Sequence, residues 1–224
     1  LVHNKSSLKW SKKHNLNAIL SGDTRVDKVI LNAKEEKEFE LIKDFCTRKP
    51  TLVLGSMWQK DWELWKKALK NLNDYQIILA PHEVDEANIK KFDGVNWMYY
   101  SKINRIKNSD FLMIDSIGIL KFVYKYATLV YIGGGFGKGI HNILEANVFG
   151  KAVIFGPKYL KAQEAVDLIN LNCAFNISNE DDLLDKINWI VKNQIEIQNN
   201  LNKYFEANNG ATKTVIQSLE NVNK

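Results

Sequence analysis

The amino-acid sequence predicts a doubly wound α/β fold, a parallel sheet with helices on both faces, and three observations carry that reading. Apolar runs of strand length alternate with amphipathic helical patterns along most of the chain, as βαβ units require. Several of those runs are apolar throughout rather than alternating, as expected of strands covered on both sides. One run, Leu129 to Ile132, leads into Gly133, Gly134, Gly135, Gly137 and Gly139 and then into a helical pattern near His141. Ligands of open α/β sheets lie at the carboxyl ends of the strands, where such a loop would sit.

Taken in order, strands are expected at 18–21, 51–55, 76–80, 96–100, 111–114, 129–133, 152–155 and, briefly, 174–177. Helices are expected near 34–47, 60–72, 84–92, 116–127, 141–149, 159–171, 180–206 and 211–222. Ser56 precedes a helix whose Trp58, Trp62 and Trp65 are spaced for a core. Ser116 is placed to cap the helix that follows it. The acidic stretch Asn179-Glu180-Asp181-Asp182 opens the long helix, and Asn209-Gly210 closes it.

The stretch from Gly133 to Glu145 holds the candidate chemistry. Glycines between a strand and a helix admit a ligand close to the backbone and leave amides and the positive helix end for an anion. The spacing is neither G-x-G-x-x-G with a following acid nor a P-loop. On the expected helix, His141, Asn142 and Glu145 share one face. A carboxylate there suits a ribose diol, whereas as a plain first-turn acid it would only complement the helix dipole.

Composition narrows the class. The chain has 224 residues, 45% hydrophobic and 25% charged, and no apolar run nears the roughly 20 residues of a membrane span. It starts at Leu1 rather than Met and carries no signal peptide, and it reads as a fragment. Cys46 and Cys173 stand alone, and His3, His14, His82 and His141 show no metal-ligand spacing. The net charge of +5 suits an anionic ligand or an anionic membrane surface, but charges such as Lys34-Glu35-Glu36-Lys37-Glu38 are interleaved as on a solvated face. Basic residues are not interleaved with aromatics, which argues against nucleic acid.

Separate strings then line up: Gly22-Asp23-Thr24-Arg25-Val26-Asp27, Gly55-Ser56-Met57-Trp58, Ala80-Pro81-His82-Glu83, Asp115-Ser116-Ile117-Gly118-Ile119-Leu120, Tyr131 through Phe136, His141-Asn142-Ile143-Leu144-Glu145, and Phe155-Gly156-Pro157. Together they resemble the C-terminal half of 3-deoxy-D-manno-octulosonic acid (Kdo) transferases, glycosyltransferase family 30 of the GT-B superfamily. The resemblance covers nearly the whole chain, and Gly133 to Glu145 is its most specific part.

The resemblance implies a Rossmann-like CMP-Kdo-binding domain over residues 1–224, with helix 211–224 packing towards an absent N-terminal domain. It implies donor contacts at Ser56, Met57, Ala80, Pro81, His82, Ile117, Gly118, Ile119, Gly133, Gly134, Gly135, Phe136, His141, Asn142, Ile143, Leu144 and Glu145, with Glu145 on the ribose. Ala80-Pro81 stand where the family has Pro-Arg beside the histidine. The absent half would supply the catalytic carboxylate and the lipid A precursor site, at the cytoplasmic face of the bacterial inner membrane. Alone, this chain is expected to bind CMP-Kdo or CMP and transfer nothing. No Asp-x-Asp suits a metal-bridged diphosphate, and a CMP-sugar has one phosphate, so no metal or other cofactor is expected. Alternative readings are another GT-B domain (a UDP-sugar transferase or UDP-N-acetylglucosamine 2-epimerase) or a non-catalytic nucleotide-binding domain.

Overall fold

The structure is a computed structural model describing residues 1–106 and 108–222, the side chain of Val222 excepted. The chain divides into two compact units, Glu36–Leu201 and Leu1–Glu35 with Asn202–Lys224.

The larger unit holds the sheet. Its strands are β1 (Thr51–Met57), β2 (Gln76–Pro81), β3 (Met98–Tyr99), β4 (Phe111–Met113), β5 (Leu129–Ile132), β6 (Val153–Phe155) and β7 (Ala174–Asn176). All pair in parallel, in the order β3-β4-β2-β1-β5-β6-β7. Strands β2, β4 and β3 lie on one side of β1 and β6 and β7 lie beyond β5 on the other, so the chain changes sides between β4 and β5. The crevice of such a sheet therefore opens at the carboxyl ends of β1 and β5. Leu52, Val53 and Leu54 of β1 and Leu129 to Ile132 of β5 are fully buried, which is why these strands read as continuous apolar runs.

Register shows what covers each face. Leu54 lies opposite Tyr131, and Gly55 lies opposite Ile132. Neighbouring residues on a strand point to opposite faces, so Tyr131 and Gly55 mark the two sides. Tyr131 meets Trp65 of helix α4 (Gln59–Ala68) edge-on, with ring centroids 5.2 Å apart. Over Gly55 lies Tyr124, in the 3₁₀ turn Tyr124–Tyr126, whose hydroxyl would come within 2.1 Å of any Cβ there. Only glycine allows that tyrosine to lie flat against the strand.

Several expected elements change. The region 18–21 is no strand and contributes one isolated bridge, Val2 with Leu20. The helix expected at 34–47 is α3 (Glu40–Phe45) alone. Residues 34–39 are charge-rich and offer too little apolar surface to hold a helix by packing. The 180–206 helix is two, α9 (Glu180–Lys192) and α10 (Gln194–Asn208). At the break, Asn193 turns its side-chain amide back to the Trp189 carbonyl at 2.7 Å. Ser116 caps nothing: α6 (Leu120–Val123) starts four residues on, after Ile119, without a side-chain cap.

The smaller unit contains α1 (Lys5–Lys13) and α2 (Thr24–Ala33), neither expected from the sequence, and α11 (Ala211–Val222), which was. Here Gly22-Asp23-Thr24-Arg25-Val26-Asp27 acts as a clasp. Asp23 caps α2, accepting from the Arg25 amide at 2.9 Å. Asp27, nearly buried, accepts from the Gly210 amide at 2.7 Å and the Thr212 amide at 2.5 Å, closing the start of α11. Burial alone would push the Asp27 carboxyl up, but hydrogen bonds from Thr212, Gly210 and Ala211 outweigh it and hold the group below its ordinary value. A carboxyl depressed in the folded state stabilises above its unfolded value, about 3.9, and stops doing so as pH falls through the folded value. Asp27→Ala is expected to cost about 1–2 kcal/mol at pH 7 in urea denaturation, the loss of a helix cap. The gap to wild type should shrink as pH drops below about 3.9. A gap that stays constant into acid would mean the carboxylate charge is not what holds α11.

Candidate functional site

Three strand ends meet to build the site. Met57 at the end of β1 pairs with Pro81 at the end of β2, and the His82 amide donates to the Met57 carbonyl at 2.9 Å. Trp58 and His82 thus leave their strands side by side, with rings stacked at 4.5 Å. Ser56 holds a left-handed backbone (φ 52°), part of the irregularity that shifts the β1–β2 register between Leu54 and Met57. The Gly133 amide donates to the Gly55 carbonyl at 2.9 Å, and the loop returns to bring the His141 amide to 3.4 Å from the Gly133 carbonyl. The His141 ring then stacks on His82 at 4.2 Å, and Trp58 Nε1 donates to His141 Nε2 at 2.9 Å.

That bond fixes the His141 tautomer. Trp58 can only donate, so Nε2 accepts and the ring proton sits on Nδ1. Burial, and then the proximity of His82, lower the His141 pKa below the ordinary histidine value, which agrees with a neutral ring.

The glycines pack backbones together. A Cβ on Gly133 would lie 2.3 Å from the Ser56 carbonyl oxygen, and one on Gly135 would lie 2.5 Å from the Gly156 nitrogen. The strand-end string Phe155-Gly156-Pro157 is therefore a packing partner of the loop. Beneath it lies Asp61, a fully buried carboxylate in the first turn of α4. It accepts from the Gly134 amide at 2.9 Å and from the Tyr131 hydroxyl at 2.7 Å. Burial pushes the Asp61 carboxyl up, opposed by those two bonds and by the Trp58 and Phe136 amides. The sequence reading passed over Asp61. Its signal was an acid in the first turn of a tryptophan-rich helix, which looks the same when it only complements the dipole.

Two expectations about this loop are corrected. Four of its amides do not stand open for an anion: those of Gly137 and Gly139 donate to the Gly134 carbonyl, and those of Gly133 and Gly134 are taken by Gly55 and Asp61. Nor does a helix open at His141, because α7 is the short segment Leu144–Asn147. His141 and Asn142 precede it in chain without regular secondary structure. Asn142 Oδ1 accepts from the Leu144 amide at 3.1 Å, a local cap that competed with helix there, and its Nδ2 donates to Glu145 Oε1 at 3.3 Å. Trp58, expected in the core, instead walls a cavity.

The remaining expected residues distribute along the same carboxyl edge. Ile117 is 85% exposed, in a turn with Gly118 (φ 87°) and Ile119 after β4, and that turn is followed by α6. Ala80, Pro81, Ile143 and Leu144 have buried side chains, so they position their neighbours. Phe136 is half-buried against Gly156. Glu145 is half-buried, and its charge lies near enough to Tyr124 to help raise that phenol, after burial. The helix that carries Glu145 packs against the Tyr124–Tyr126 turn, on the Gly55 side of the sheet. A cavity of about 710 Å³, walled by Trp58, His82, His141 and Gly134, opens towards the N-terminus of α4. Among the described residues no group of three or more His, Cys, Asp or Glu could hold a metal ion, and no helix is long and apolar enough to cross a membrane.

No protein-family model matches the chain. It is 27% identical over 199 residues to a 3-deoxy-D-manno-octulosonic acid transferase of Rickettsia felis, which covers 82% of this chain and 43% of the relative. To the enzyme of that name from Rickettsia prowazekii it is 31% identical over 171 residues, 72% of this chain and 36% of the relative. The chain thus spans less than half the length of these curated relatives. Its fold matches the crystal structure of the C-terminal CMP-Kdo binding domain of WaaA from Acinetobacter baumannii with a TM-score of 0.65 at 18% identity, over 79% of this chain and 97% of that one. The chain is a homologue of the 3-deoxy-D-manno-octulosonic acid transferases, built on the Rossmann-like α/β fold seen in GT-B glycosyltransferases.

Proposed function

We propose that the chain is the donor-binding half of a Kdo transferase, seating CMP-Kdo at the carboxyl ends of β1, β2 and β5. The observation that carries the proposal is the Asn142–Glu145 pair beside the neutral His141, on a chain whose curated relatives bear that enzyme name. The names of those relatives favour this reading over a UDP-sugar enzyme or a non-catalytic module.

In this reading Glu145, aimed by Asn142, accepts from the ribose diol. The exposed turn Ile117-Gly118-Ile119 meets the base, and the phosphate faces His141, whose Nδ1–H is free to donate once Trp58 has occupied Nε2. Ala80-Pro81 and Ile143-Leu144 act from beneath, by fixing His82 and Glu145. Ser56, Met57, Gly133, Gly134, Gly135 and Phe136 line or support the edge through their backbone. One phosphate carries too little charge to demand a metal, and no cofactor enters the scheme.

Transfer itself would be an inverting displacement at the Kdo anomeric carbon. A hydroxyl of the lipid A precursor attacks the anomeric carbon, a carboxylate of the other half takes its proton, and the anomeric C–O bond to the phosphate breaks with its electron pair leaving on CMP. Removing that proton needs a base within about 3 Å of the attacking oxygen. His141 is a poor candidate, since its acceptor nitrogen is held by Trp58. Full-length protein would work at the cytoplasmic face of a Gram-negative inner membrane.

A hydrogen bond to a charged group contributes about 1.5–3 kcal/mol. Glu145→Ala should therefore weaken CMP binding at least about tenfold in calorimetry, with little change in melting temperature. Unchanged affinity would leave Glu145 a dipole-complementing surface acid. The 224-residue chain by itself should give no Kdo transfer to lipid A precursor at any concentration, and fusion to the N-terminal half of a relative should restore it. Turnover by the isolated chain would place the base within it.

A further inference from the structure

We infer that the cavity beside the Trp58–His82–His141 stack receives the glycosyl acid of the nucleotide sugar, with Lys60, Lys91 and Lys138 at its mouth balancing the sugar carboxylate. The inference rests on the nucleotide reading above and adds to it a place for the acid.

The two halves of the edge lie on different faces of the sheet. Glu145 belongs with Tyr124 on the Gly55 face, whereas the cavity lies against the first turn of α4, on the Tyr131 face. The three stacked rings and Gly134 stand between them at the strand ends. For a nucleoside held by Glu145 with its phosphate at His141, the cavity that His141 itself lines is the adjoining space for the sugar. At about 710 Å³ the cavity lies in the range of small-molecule sites.

Its chemistry suits an acidic sugar. Trp58 and Phe92 give apolar faces for ring carbons and a methylene. With the amides of Gly133, Gly134, Gly137 and Gly139 used internally, side chains take the larger share in meeting anionic charge here. Lys60, Lys91 and Lys138 line the cavity against a single acid, Glu83, and that acid is engaged by Asn88 at 2.7 Å. Lys91 is itself steadied by Asn88. A neutral sugar would gain only hydrogen bonds to its hydroxyls from the three ammonium groups, whereas a carboxylate gains charge attraction from each.

The test compares CMP with CMP-Kdo, titrated into wild type and into the Lys60→Met/Lys138→Met double variant. Both lysines are exposed, so their loss should not disturb folding. Wild type should prefer CMP-Kdo to CMP. The variant should lose at least about tenfold in CMP-Kdo affinity, about 1.4 kcal/mol, and keep its CMP affinity within about twofold. Equal losses for both ligands, or no loss for either, would overturn the inference and leave the nucleotide site standing. So would wild type binding the two ligands alike. Failure of wild type to bind CMP at all would overturn the nucleotide reading, and the sugar pocket with it.

Discussion

A carboxylate buried without charge-matched partners would cost several kcal/mol, so the groups that satisfy it are held in place as firmly as it is. Asp61 is such a group. Its oxygens take the Gly134 amide and the Tyr131 hydroxyl, joining the first turn of α4 to the end of β5 and to the loop that follows. With the loop fixed to α4, the Gly133 carbonyl receives the His141 amide, and His141 arrives within reach of Trp58 and His82. Glu145 follows four residues later, on the far side of the stack. Register alone aligns the strand ends, but the buried carboxylate decides where the loop goes after leaving them.

The same anchor alters the electrostatics of the site. An anion-binding loop ordinarily offers its amides outward. Here the amides of Gly133, Gly134, Gly137 and Gly139 are used inward, to Gly55, Asp61 and Gly134, and the loop packs its backbone closely against Ser56 and Gly156. In the proposed reading, recognition of negative charge passes to the His141 ring and to lysines lining the cavity. That division separates two tasks: Asn142 and Glu145 on one face for a neutral diol, and cations on the other for an acid.

Where burial on both faces demands apolar residues, the sequence was a good guide. Leu52 to Leu54, Ile77 to Leu79 and Leu129 to Ile132 could be read as parallel strands because no other element of that length needs such uniform composition. Misreadings arose where local hydrogen bonds compete with periodicity. Asn193 splits one helical pattern and Asn142 delays another, and in both cases the side chain satisfies a backbone group that the helix would have used. The clasp at Asp27 escaped because its partners, Gly210 and Thr212, are almost the whole chain away. Residues of the candidate site were visible as types and spacings, while their alignment across three strand ends was not, since the order β2-β1-β5 appears only once the sheet is assembled.

The central claim, that a cytidine nucleotide spans the carboxyl edge between Glu145 and His141, is tested most directly by a crystal structure of the chain with CMP. The account predicts both ribose hydroxyls within hydrogen-bond distance of Glu145, the base against Ile117-Gly118-Ile119, and a phosphate oxygen accepting from His141 Nδ1. Trp58 Nε1 should remain on Nε2. A nucleotide bound elsewhere, or one whose ribose turns away from Glu145 while His141 rotates off Trp58, would contradict it.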